Sequence, residues 1–145
     1  MLFYQFKTKA VKPATAIKTA LGIVAGLCGL HLSILFGLVP CDIVWGGRLG
    51  SKAEMYAFET FALGMNLFFG WLLLMKGRYT RTLLPARAVS VALWGFFVLF
   101  AFNTFTNLLA KTSFEQAFAG VTLLLCVLIW RVNRVPFGTA RHQEK

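Results

Sequence analysis

Acidic residues are scarce in this chain. Five Asp and Glu stand against fifteen Lys and Arg, and only 14% of the 145 residues carry a charge. A surface that poor in charge does not suit a water-soluble domain. The three cysteines include no C-x-x-C pair: Cys28 and Cys126 fall inside apolar runs and Cys41 stands by itself, which argues against a disulfide framework or a thiol redox motif. Histidine is limited to His31 and His142, at opposite ends of the chain. That leaves no pair for a b-type haem, and His31 with one carboxylate is too sparse for zinc, so no metal and no cofactor is expected. G-x-S-x-G, H-E-x-x-H and Gly-rich phosphate-loop patterns are missing, as is any internal repeat. An A-x-A-like cleavage site is also lacking after the first apolar block, which therefore reads as a retained helix.

What the chain has in abundance is apolar surface. Hydrophobic residues make up 58% and aromatic residues 15%, and the mean hydropathy is +0.70. They form four blocks, each close to the ~20 residues that cross ~30 Å of hydrocarbon as a helix. The expected fold is all-α: a single-domain, up-down, four-helix membrane bundle with short loops and helices over about 16–39, 52–75, 85–109 and 113–132. Segments 1–12 and 133–145 are left as tails. Pro13 and Pro85 suit first helical turns, and Pro40 is expected to end the first helix. Ser51 with Glu54, and Thr112 with Glu115, read as capping boxes at the starts of the second and fourth helices.

A net charge of +10 would suggest nucleic acid in a soluble protein. Its distribution points to membrane topology instead. The N-terminal segment, the middle connection and the C-terminal segment hold twelve basic groups against one acid; the other two connections hold three basic groups against four acids. The positive-inside rule then puts both termini in the cytoplasm.

Polar side chains within the spans are costly in lipid, so their placement is informative. His31 lies in the outer half of the first span, Glu59 and Asn66 share a face of the second, and Asn103, Asn107 and Lys111, with Thr104 beside them, line one face of the third. With Arg48 from the first external loop they form an expected polar cluster opening outward, floored by Phe68, Phe96 and Phe100. The competing explanation is hydrogen-bonding glue between helices, with Glu59 paired to Lys111 or Arg48. On the first helix Gly22, Gly26, Gly29, Ser33 and Gly37 fall within an arc of roughly 80°, a small-residue stripe suited to packing within the bundle or to a homodimer.

The residues His31, Pro40-Cys41-Asp42, Val44-Trp45-Gly46-Gly47-Arg48, Phe58-Glu59, Phe102-Asn103-Thr104, Asn107-Leu108, Ala110-Lys111-Thr112 and Phe114-Glu115 together resemble a group of small, uncharacterised bacterial four-span integral membrane proteins. The resemblance covers most of the chain from the first span onward. It implies a bacterial inner-membrane location and carries no activity, substrate or cofactor with it.

The functional expectation is a non-enzymatic binding or accessory protein whose outer cluster holds a small polar ligand or a lipid headgroup, with the bilayer as surroundings and no nucleic-acid partner. Two alternatives come from other classes. One is a small homodimeric transporter or channel subunit, which the apolar inner halves of the spans disfavour. The other is a membrane-embedded enzyme acting on a lipid or quinone.

Overall fold

A computed structural model describes residues 12–39 and 50–138. Among them are four α-helices: α1 Pro13–Leu35, α2 Lys52–Gly77, α3 Ala86–Leu108 and α4 Ser113–Asn133. Each is long and apolar enough to cross a membrane. Consecutive helices run antiparallel, α1 packing on α2 and α3 on α4, and the two hairpins meet through less extensive α1–α4 and α2–α3 contacts. The result is an all-α four-helix bundle.

Local chemistry explains the helix ends. Pro13 occupies the first turn of α1, where its missing N–H costs nothing. The α1 terminus departs from expectation: the helix stops at Leu35, well before Pro40. Gly37 adopts φ 71°, its N–H bonding to Ile34 O at 2.9 Å while Leu38 N–H bonds to Ser33 O at 2.8 Å. That pair of bonds is a Schellman closure, so Gly37 acts as a helix stop and not as part of a packing stripe. At α2 the Ser51 hydroxyl accepts from Glu54 N at 3.2 Å, but the Glu54 carboxylate reaches past Ser51 to the N–H of Gly50 at 2.8 Å. At α4 the Thr112 hydroxyl accepts from Glu115 N and donates to Glu115 Oε2 at 2.9 Å. Both predicted caps are therefore formed.

The apolar core occupies one end of the bundle. Ile17, Ala20 and Val24 of α1 meet Phe69, Leu72 and Leu73 of α2, Val89 and Leu93 of α3, and Leu125 and Ile129 of α4. Phe69 stacks between Phe96 and Phe100, with ring centroids 4.9 and 5.2 Å away. The close approach of α1 and α2 uses Gly70 of α2, where an added Cβ would lie 3.3 Å from Val24. Gly22, Gly26 and Gly29 have nothing within 4 Å of such a Cβ. Their stripe faces away from the other three helices, so packing within the bundle is not what it provides.

Lys76 closes the core end. It is only 4% exposed, and its ammonium donates to Ser90 Oγ at 3.3 Å and Val135 O at 3.2 Å beneath the Phe137 ring. Asn133 Nδ2 donates to Ser90 O at 2.8 Å, and Gly138 N–H to Lys76 O at 3.1 Å. These bonds tie the segment after α4 to the ends of α2 and α3. A lysine that sequence counts as a solvated loop charge is thus an internal fastener.

Candidate functional site: a polar cavity between the hairpins

At the other end of the bundle the hairpins part and enclose a cavity of about 420 Å³. All four helices contribute to it. Leu27, Leu30 and His31 come from α1, and Phe58, Glu59, Phe61, Met65 and Asn66 from α2. The third wall is Phe96, Leu99, Phe100, Asn103, Thr106 and Asn107 of α3, and the fourth is Phe114, Glu115, Phe118 and Thr122 of α4. Most of this lining is aromatic or aliphatic, with a few polar groups set in it, which is the usual make-up of a small-molecule pocket.

The α1–α2 wall carries a bonded triad. His31 Nδ1 lies 2.6 Å from Glu59 Oε2, so the carboxylate oxygen accepts and Nδ1 carries the proton. The amide of Asn66 is oriented by its Nδ2 donation to Ala62 O at 2.9 Å, and the same nitrogen sits 3.3 Å from His31 Nε2. His31 therefore presents its lone pair to Asn66 and its proton to Glu59. Glu59 is 0% exposed. The positions explain the contact: His31 lies opposite the outward glycine stripe, hence against α2, and Glu59 and Asn66 are two turns apart on one face. One atom of the triad is left over. Asn66 Oδ1 is buried and has no hydrogen-bond partner.

The α3–α4 wall is different. Thr104 and Thr122 place their hydroxyls 2.8 Å apart and each also bonds a carbonyl one turn back, Phe100 O and Phe118 O. These two threonines are glue between helices. Asn103 and Asn107 are not: both line the cavity, and among the described residues neither amide side chain makes a hydrogen bond. Glu115, 7% exposed, reaches the cavity from the capping turn of α4.

The structure thus brings His31, Glu59, Asn66, Asn103 and Asn107 around one void. Lys111 is exposed and lies outside the lining, so its expected pairing with Glu59 is replaced by the His31 contact. Arg48 lies outside the described residues. Phe96 and Phe100 form the floor as expected, whereas Phe68 sits lower, 6.0 Å from Phe96 and outside the lining. Phe58, Phe61, Phe114 and Phe118 belong to the walls, although sequence gave them no part. Phe118 alone carried a spacing signal, three residues from Glu115 and four from Thr122. Among the described residues, no group of three or more His, Cys, Asp or Glu could hold a metal ion. The chain was compared with protein-family models, curated proteins and solved structures, and nothing in any of the three matches it.

Proposed function

We propose that this chain is a binding protein of the bacterial inner membrane, with both termini cytoplasmic, and that its cavity receives the polar head of a small amphipathic molecule. The observation that carries this reading is the pair Asn103 and Asn107. They line the cavity from the outer part of α3, where among the described residues neither amide side chain makes a hydrogen bond, and an amide left unbonded in apolar surroundings is costly. They supply donors and acceptors to something else. Asn66 Oδ1 adds a buried acceptor on the facing wall. The apolar core below Phe96 and Phe100 supports binding over transport, because among the described residues the cavity lining does not extend past it.

The test separates ligand contact from glue. The protein is expressed in bacterial membrane and purified in mild detergent, and native mass spectrometry records the lipid or other small molecule it retains. Asn103→Leu is expected to unfold within about 0.5 kcal/mol of wild type, as a change that breaks no bond should, while losing the retained molecule. A variant that kept the wild-type complement of bound molecule would overturn the reading, and one with grossly reduced stability would return Asn103 to a structural role.

A further inference from the structure

Two residues of the cavity lining are also exposed on the outside of the bundle. Phe61 lies nine residues into α2 from Lys52, and Leu99 lies nine residues before the end of α3 at Leu108. At 1.5 Å per residue both stand about 14 Å below the cavity-end helix termini, well inside the hydrocarbon. Both line the cavity, yet Phe61 is 67% exposed and Leu99 37%. Their faces agree. Phe61 is two turns from Phe68, which touches Phe96 of α3, so it stands on the α3 side of α2. Leu99 points away from the α4 side of α3, which Thr104 marks by its bond to Thr122. The two side chains therefore rim a slot between the outer halves of α2 and α3, in one of the less extensive helix contacts of the bundle.

A surface this apolar and this exposed at that depth faces lipid tails, not water. We infer that the cavity is reached laterally from the bilayer through the Phe61–Leu99 slot, and that its ligand is a lipid-tailed molecule whose chain lies in the slot while its head meets Asn103 and Asn107. This rests on the cavity being a binding site, and it adds the route and the ligand class. The aromatic walls suit such an occupant, since Phe100 and Phe118 line the interior and present apolar faces to the chain.

The experiment places a tryptophan inside the cavity, Phe118→Trp, and another on the lipid-facing side of α3, Phe102→Trp, where Phe102 is 64% exposed. Each is reconstituted in phosphatidylethanolamine–phosphatidylglycerol vesicles with brominated acyl chains, and its fluorescence is read as the difference from wild type. Circular dichroism checks that each variant keeps its helix content. The inference expects brominated chains to quench Phe118→Trp as strongly as Phe102→Trp, with acrylamide added to the water having no effect on either. Filling the slot by adding Leu99→Trp and Phe61→Trp, with these two subtracted in a matched control, should abolish the lipid quenching at position 118 alone. Quenching of Phe118→Trp by acrylamide and not by lipid would overturn the lateral route and leave the cavity as a site filled from water. Quenching by neither would overturn both the route and the cavity reading.

Discussion

Glu59 illustrates how a single residue is reconciled with the membrane. It sits about 11 Å below the start of α2 by helical rise, with none of its surface exposed. An ionisable group there needs a partner, and His31 supplies one at 2.6 Å. Removing His31 takes that bond away from Glu59. His31→Leu is expected to lower unfolding stability in detergent by about 1–3 kcal/mol, the range for losing a hydrogen bond to a charged group. His31→Leu with Glu59→Leu should recover much of that loss, since both polar groups are then gone. A double-mutant cycle measures it: a coupling near zero would mean the two side chains do not depend on one another. Sequence identified both residues as misplaced in lipid and put them at one depth. It left Lys111 and Arg48 as possible partners of Glu59 and did not name His31, because depth and helix face narrow the candidates without choosing between them.

At the scale of the element, the end of α1 decides where the cavity begins. The closure at Gly37 stops α1 at Leu35, one turn beyond His31. Gly37→Ala keeps the hydrogen-bonding groups but places a Cβ at φ 71°. It is expected to cost about 1 kcal/mol and to speed exchange of the backbone amides at positions 37 and 38, and unchanged exchange would show that the closure is not what holds the end. The capping turns at Ser51 and Thr112 were legible because a cap is a local pattern of side chain and N–H three residues on. The fate of the glycine stripe was not. Periodicity shows that Gly22, Gly26 and Gly29 share a face, and only the packing of the other helices shows that this face points outward while Gly70 of α2 makes the close approach.

The molecule as a whole is divided lengthwise into a sealed half and an open half. Phe69 is central to the seal, fully buried between Phe96 and Phe100. Phe69→Ala is expected to destabilise the bundle by about 3–5 kcal/mol, through the cavity it leaves as much as the contacts it removes. Thermal or denaturant unfolding checks it, and a loss below 1 kcal/mol would mean that the hairpins are held together elsewhere. Orientation follows from charge at the same scale. With Lys12, Lys18, Lys76, Arg78, Arg81, Arg87, Arg131 and Arg134 all toward the sealed end, alkaline phosphatase fused after Lys145 is expected to be inactive in cells, and an active fusion would invert the proposed topology.

Composition and periodicity by themselves determined that this chain makes four apolar helices, where two of them are capped, and that its polar residues gather toward one end. Those are properties of short segments, set by hydropathy, side-chain size and local hydrogen bonding. Only the tertiary structure decided that Thr104 and Thr122 bond to each other while Asn103 and Asn107 are left facing a void, that Lys76 is internal, and that Phe61 and Leu99 line the cavity while remaining exposed. Each of these depends on the separation and rotation of helices distant in sequence, which no periodicity along one helix contains.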